Sequence, residues 1–188
     1  YVDGSFTVTP AALTVTANDI NKVYGTTYTF AGNEFTTSGL LNSDTVTSVT
    51  LASLGANAAA QVNGNPYVIT ASNAVGSGLS NYTITYVDGN LTVTPAALTI
   101  TANNQSKIYG DSFSFNGNEF TTSGLVNGNS VASITLSSAA TAPTATVAGS
   151  PYAIVGSNAT GVGLSNYTIT YVDGSFTVTP AALTVTAN

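Results

Sequence analysis

The sequence lacks several residue types on which enzymes, metal sites and disulfide-stabilised folds depend. Among its 188 residues there is no cysteine, methionine, tryptophan or histidine. Without cysteine, stability cannot depend on disulfides, and without histidine the commonest general base and a common metal ligand are both missing. Chemistry that needs a thiol or an imidazole is therefore excluded.

Charged residues are also scarce. Two Lys or Arg and eight Asp or Glu give a net charge of −6, and only 5% of the residues are charged. Binding to nucleic acid or to an anionic membrane surface needs clustered cations, so both partners are excluded. No run approaches the ~20 apolar residues of a membrane-spanning helix, so no membrane insertion is expected. A surface rich in Thr, Ser, Asn and Gly instead favours an extracellular β-protein.

One phrase occurs three times. "YVDGNLTVTPAALTITAN" (Tyr86–Asn103) is nearly repeated at residues 1–18 and 171–188, and the three copies are equally spaced along the chain. A fixed period of this length indicates a tandem array. It predicts two repeat modules, residues 11–95 and 96–180. Residues 1–10 would be the last strand of a preceding module and residues 181–188 the first strand of a following one, as expected of a segment of a longer repetitive protein.

The hydrophobic pattern has period two almost everywhere, which is typical of β-strands. In "NYTITYVDGNLTVTP" every second residue on either side of an Asp-Gly pair is apolar. Asp-Gly suits a two-residue type I′ turn, so the pattern predicts an antiparallel hairpin. The structural turn residues would be Asp88, Gly89, Asp173 and Gly174.

Further strands are predicted at "ALTVTAN", "TYTFAGNEF", "TVTSVTLAS" and "PYVITAS". In "TVTSVTLAS", Val46 is out of phase with Val49 and Leu51, which indicates a bulge or a late start. Five to seven short strands per module predict an all-β fold of two tandem modules. Each would be a small β-sandwich, with a β-grasp-like topology as the alternative.

Three prolines mark the expected module junctions: Pro10, Pro95 and Pro180. Each follows a Thr-rich strand and precedes Ala-Ala and another strand. Because proline removes a ladder donor and restricts its neighbour, the last strand of one module would run almost directly into the first strand of the next. Such short joints predict an elongated rod.

These residues resemble the MBG/YDG group of repeat domains, found in bacterial surface or secreted adhesins that include filamentous-haemagglutinin-like proteins. The resemblance lies in "KVYG" and "KIYG" at Lys22 and Lys107, the Gly-Leu pairs at Gly39 and Gly124, and the "NYTIT" segments. It implies an adhesive or stalk module on a bacterial exterior. In the YDG variant an aspartate follows the tyrosine, whereas Gly25 and Gly110 stand there in this chain.

Few residues are candidates for chemistry or binding. Catalysis is not expected, because the acids common to both copies are a turn aspartate and Glu34 or Glu119. The two lysines would either contact an anionic glycan or, as the favoured interpretation, pack beside Tyr24 or Tyr109 with the ammonium near the glutamate. Candidate ligand contacts are Lys22, Lys107, Tyr67 and Tyr152.

No cofactor is expected. Calcium is an alternative, because it prefers oxygen ligands, although no dense acidic loop is present. The oxygen-bearing residues considered for it are Asp19, Asp88, Asn90 and Asp111.

The leading functional hypothesis is a non-catalytic stalk or spacer repeat of an extracellular bacterial adhesin or surface fibre. Its expected partners are neighbouring repeats in the same chain. Two alternatives remain: a module that binds host glycans or mucin, and a self-assembling filament or sheath subunit whose partners are identical chains.

Overall fold

The computed structural model describes residues 1–187. The chain divides into two compact units, the first spanning Tyr1–Pro95 and the second beginning at Ala96. The first unit contains seven strands: β1 (Ala11–Ala17), β2 (Ile20–Val23), β3 (Phe35–Ser38), β4 (Thr45–Ala52), β5 (Tyr67–Ser77), β6 (Tyr82–Val87) and β7 (Gly89–Thr94). The second unit repeats them: β8 (Ala96–Ala102), β9 (Gln105–Ile108), β10 (Phe120–Ser123), β11 (Ser130–Ser137), β12 (Tyr152–Val162), β13 (Tyr167–Val172) and β14 (Gly174–Thr179).

Helical structure within residues 1–187 is limited to 3₁₀ turns of three residues each: Leu54–Ala56, Val62–Gly64, Leu79–Asn81, Ala139–Thr141, Val147–Gly149 and Leu164–Asn166. The predicted all-β class and the two tandem modules are therefore confirmed.

Each module is built from two sheets. In the first module these are a three-stranded sheet in the order β3-β1-β6 and a four-stranded sheet in the order β2-β7-β5-β4. The pairs β1/β6 and β2/β7 are parallel and the others antiparallel. The second module has the same arrangement, β10-β8-β13 and β9-β14-β12-β11. This is the predicted sandwich-like arrangement of two sheets.

The two parallel pairs of a module have one common register. Ala11 pairs with Tyr82 and Ile20 pairs with Leu91, so the same offset along the chain separates the partners in both pairs. Residues 11–23 and 82–94 therefore form one parallel ribbon that passes from the first sheet into the second. The second module forms the same ribbon from residues 96–108 and 167–179.

Both strands of the ribbon change sheets at the same place, and a hydrogen bond holds the two crossings together. The Asn90 N–H donates to Asp19 Oδ1 at 2.7 Å. A Cβ atom at Gly89 would lie 2.6 Å from the Ala17 carbonyl oxygen, so the close approach of the two crossings requires glycine. In the second module Ser175 N–H donates to Asn104 Oδ1 at 2.8 Å.

The predicted hairpin is therefore wrong. β6 pairs with β1 and β7 pairs with β2 and β5, so the strands that flank Asp88 and Gly89 lie in different sheets. Neither residue has a positive φ, and the same holds for Asp173 and Gly174. The Asp-Gly pair marks a crossing between sheets rather than a type I′ turn.

A second strand prediction also fails, while the bulge prediction holds. Residues 27–30 are not in a strand; the Tyr28 and Phe30 rings instead meet edge to face at 5.1 Å, and strand β3 begins only at Phe35. The β4/β5 register shifts between Val46 and Ser48 and again between Ser48 and Thr50, which confirms the predicted irregularity.

Each module has its own apolar interior, filled by the predicted inward positions of the strands. In the first module Leu13, Val15, Leu91 and Val93 are almost completely buried. In the second, one core cluster contains Ala102, Ala140, Ala145, Ile154, Phe176 and Val178. There the Phe113 ring packs edge to face on Phe176 at 4.9 Å.

The type I′ geometry that was predicted at Asp-Gly occurs between β3 and β4. Asn42 and Ser43 have φ values of 53° and 61°, and Asp44 N–H donates to the Leu41 carbonyl at 2.9 Å. In the second module the same positions are Asn127 and Gly128, with φ values of 55° and 71°. Serine therefore occupies a left-handed position that glycine occupies in the other copy.

We expect Ser43→Gly to stabilise the first module by about 1 kcal/mol, because an L-residue in the left-handed region costs about 1–2 kcal/mol and glycine loses part of that gain to chain entropy. Gly128→Ser is the matched control and should destabilise the second module by a similar amount. Urea denaturation combined with hydrogen exchange, which assigns the change to one module, measures both. A stability loss in Ser43→Gly would contradict the argument.

Candidate functional site

The two lysines lie in the interior of their modules. On β2, Asn21 and Val23 face outward and Lys22 faces inward, so the side chain is only 7% exposed; Lys107 on β9 is also 7% exposed. A buried ammonium must be hydrogen-bonded. Lys22 Nζ donates to the backbone carbonyls of Thr26 and Asn57, each at 2.9 Å.

The second module reproduces this arrangement with different residues. Lys107 Nζ donates to the carbonyl of Asp111 at 2.8 Å and to the carbonyl of Ala142. Because the acceptors are backbone oxygens, the side chains at these positions are free to differ between copies. Burial lowers the pKa of Lys22 below its ordinary value.

This geometry corrects both positions predicted for the lysine ammonium groups. Lys22 and Lys107 are not surface ligand contacts, because their side chains are buried and their ammonium groups donate to backbone carbonyls of the module. The expected approach to the glutamate is also wrong, because Glu34 binds other groups. We call each lysine with its two carbonyls the lysine clamp.

Glu34 closes the loop before β3. Its Oε1 accepts from Ala31 N–H at 2.8 Å and its Oε2 from Gly32 N–H at 2.9 Å; Tyr28 Oη donates to Oε1 at 3.3 Å. Burial alone would raise the pKa of Glu34, but backbone hydrogen bonds, including one from Asn33, outweigh it and lower the pKa.

Glu119 makes the equivalent bonds in the second module, from the N–H groups of Asn116, Gly117 and Asn118, and its pKa is also lowered. A carboxylate already bound by several backbone donors is a loop-closing group, which accounts for its presence in both copies.

The tyrosines predicted as ligand contacts are half-buried, and their hydroxyls are engaged within the module. Tyr67 Oη donates to the Gln61 carbonyl at 2.8 Å, and Tyr152 Oη donates to the Thr146 carbonyl at 3.0 Å. Each hydroxyl holds the loop that precedes β5 or β12.

An open groove borders Tyr67 in the first module. It has a volume of about 550 Å³ and is lined by Ala52, Ser53, Leu54, Pro66, Tyr67, Val68 and Thr70. Leu54 is 87% exposed beside it. Alanine stands at the positions of Leu54 and Val68 in the second module, namely Ala139 and Ala153.

Two of the residues considered for calcium, Asp19 and Asn90, are in contact with each other. Asp19 binds Asn90 N–H, as described above, and Asp88 and Asp111 are exposed. Within residues 1–187, no three acidic side chains come close enough together to hold a metal ion.

The lysine clamp gives a physical meaning to the Tyr-Gly-X segments that follow β2 and β9. Gly25 and Gly110 have φ values of 88° and 97°, and this left-handed turn directs the carbonyl of the next residue, Thr26 or Asp111, at the lysine. The turn needs glycine, whereas the third position contributes a backbone oxygen.

The description of the family model that matches the chain contains the same three letters, YGX. The MBG domain of YGX type matches residues 13–92 and again residues 98–177. The chain belongs to the MBG domain family. Gly25 and Gly110 stand where the YDG variant has aspartate, and they agree with the glycine of the YGX pattern. The predicted family resemblance is confirmed. A search of curated proteins finds no matching relative.

Neither the lysine clamp nor the hydrogen bonds by which Glu34 and Glu119 close their loops were predicted from the sequence. Their one signal was that Lys and Glu recur at equivalent positions in a chain with very few charges. That signal indicates a shared role, but it does not show whether the side chain faces inward.

We expect Lys22→Met to destabilise the first module by about 1–3 kcal/mol, because it removes the charged donor that two backbone carbonyls share. Lys107→Met should do the same to the second module. Urea denaturation of each variant measures the effect, with Asn21→Met on the outward face of the same strand as the control. Equal stability of Lys22→Met and the wild type would contradict the structural role.

The lowered pKa values of Glu34 and Glu119 predict that the stability of the fold decreases in acid. A carboxylate whose pKa is lower in the folded than in the unfolded chain stabilises the fold above the unfolded pKa, about 4.3, and this contribution is lost as the pH falls through the folded pKa. We therefore expect Glu34→Gln/Glu119→Gln to be less stable than the wild type at pH 7, with a smaller further loss on acidification.

Urea midpoints measured from neutral to acidic pH test this. Asp88→Asn/Asp173→Asn removes the same number of charges from exposed positions and is the control. A double glutamine variant with the pH profile of the wild type would contradict the assignment.

Proposed function

We propose that the chain is a non-catalytic spacer repeat of a bacterial extracellular adhesin or surface fibre. MBG domains are repeats associated with adhesin-like proteins. Within residues 1–187, no helix is long and apolar enough to cross a membrane. The function is geometric: each module sets a length.

The parallel ribbon is the observation that carries the proposal. Because residues 11–23 run in the same direction as residues 82–94, the chain enters a module at one end of the ribbon and leaves it at the other. A module whose first and last strands were antiparallel would return the chain to its starting end. The thirteen residues 11–23, even if extended throughout, advance the chain by at most about 43 Å.

The junction supports the same function. β7 ends at Thr94, β8 begins at Ala96, and Pro95 alone separates them. A single residue of fixed φ leaves little freedom for a joint to bend. We propose that successive modules form a stiff extended array.

Non-catalytic function is supported by the use of the few charged groups. Both lysines and both loop glutamates bind backbone atoms of their own module. In addition, the sequence has neither histidine nor cysteine.

Small-angle scattering on arrays of two, four and six modules tests the spacer function. We expect the maximum dimension to grow linearly, by at most about 43 Å per added module, because each ribbon advances the chain in one direction. Arrays with Gly-Ser segments in place of each junction proline are the control and should be shorter on average. A dimension that grows much more slowly than module number would contradict the proposal.

A second candidate is a glycan- or mucin-binding module, favoured by the groove beside Tyr67 in the first module. Burial of Lys22 and Lys107 removes the cations that were considered for an anionic glycan. A glycan array distinguishes the candidates: binding that is lost in Leu54→Ala/Val68→Ala, the residues of the second module, would favour this function.

A further inference from the structure

The free sheet edges of a module differ in how well they are protected against pairing with another strand. Each module has four such edges, formed in the first by β2, β3, β4 and β6. β2 and β3 have only four residues each. β4 has two register shifts, and its Val49 N–H donates to the Gly32 carbonyl at 2.9 Å. Short strands and bulges are the usual protections of an edge.

β6 has neither protection. It has six residues, YTITYV, and pairs with β1 over its whole length without a shift. It contains no charge, proline or glycine, and Thr83, Thr85 and Val87 are exposed. Within residues 1–187, no strand pairs with its outer side. β13 has the same six residues and the same position in the second module.

We propose that β6 and β13 are self-association edges and that their partner is the same edge in a second copy of this chain. The requirement for backbone donors and acceptors makes the partner a β-strand. A second copy fits because each chain carries the identical edge twice, so every copy presents the same uncharged strand to every other.

Charge selects the orientation of the pair. Asp88 and Asp173 directly follow β6 and β13. In a parallel pair two aspartates would lie side by side, whereas an antiparallel pair separates them by the length of the strand, about 20 Å, beyond the screening length of about 8 Å. The pair is therefore antiparallel.

Side-chain alternation selects the register. An antiparallel pair keeps its Thr face and its aromatic face separate only when residues of the same face lie opposite each other. Of these registers, the one centred on Thr85 pairs all three exposed residues of the strand, with Thr85 opposite Thr85 and Thr83 opposite Val87. A charged side chain at position 85 would then lie opposite the same charged side chain of the second chain.

The experiment measures sedimentation velocity of the whole chain over a series of concentrations. We expect the wild type to associate reversibly, and Thr85→Lys/Thr170→Lys to associate about tenfold more weakly because like charges meet across the pair. Thr50→Lys/Thr135→Lys adds the same charge at exposed positions of β4 and β11 and should associate like the wild type. An equimolar mixture of Thr85→Lys/Thr170→Lys with Thr85→Glu/Thr170→Glu should restore association.

A wild type that stays monomeric at all concentrations would overturn the proposal, as would equal weakening by the two lysine variants. Association that persists in Thr85→Lys/Thr170→Lys would also overturn it and would place the interface elsewhere, such as on the exposed residues 1–10. Circular dichroism checks that each variant is folded. In the wild type, amide exchange of residues 83–87 should slow with concentration, which tests the edge without any substitution. Since scattering on monomeric arrays tests the spacer function, the two proposals can fail separately.

Discussion

The fold depends on one constraint, the parallel pairing of the beginning of each module with its end at a single fixed offset. It includes β1, the central strand of the three-stranded sheet, and β7, an inner strand of the four-stranded sheet. It cannot form until almost the entire module has been synthesised, because its partners are far apart in sequence. A module is therefore closed by its last strands, and this closure places chain entry and chain exit at opposite ends of the ribbon.

The features that the sequence predicted correctly are local or periodic. The regular spacing of the repeated phrase identified the modules, and strict alternation identified the strands whose apolar positions, among them Leu13, Val15, Leu91 and Val93, are buried. The broken phase at Val46 identified the irregular edge strand. Apart from the repeat itself, each of these signals lies within a few residues of the feature that it reports.

The predictions that failed required knowledge of distant partners. Alternation around an Asp-Gly pair looks the same whether the two strands pair with each other or separate into two sheets. At Gly89 the deciding contact is the Ala17 carbonyl, which belongs to the opposite end of the module's sequence. Lys22 was misjudged for the same reason, since its acceptor at Asn57 lies in a loop with no pattern of its own.

Comparing equivalent positions of the two modules shows which residues can differ without changing the fold. Asp19 and Asn104 are interchangeable because each supplies one side-chain oxygen to the crossing. Thr26 and Asp111 are interchangeable because each supplies a backbone carbonyl. Lysine does not vary between the copies, because its side chain brings a donor from an inward position of β2 or β9 to both carbonyls. The two lysines and the two loop glutamates thus fix loops of their modules, and β6 and β13 contain no charged residue. If the spacer and self-association proposals both hold, one module serves both, because every strand edge recurs with each repeat of the array.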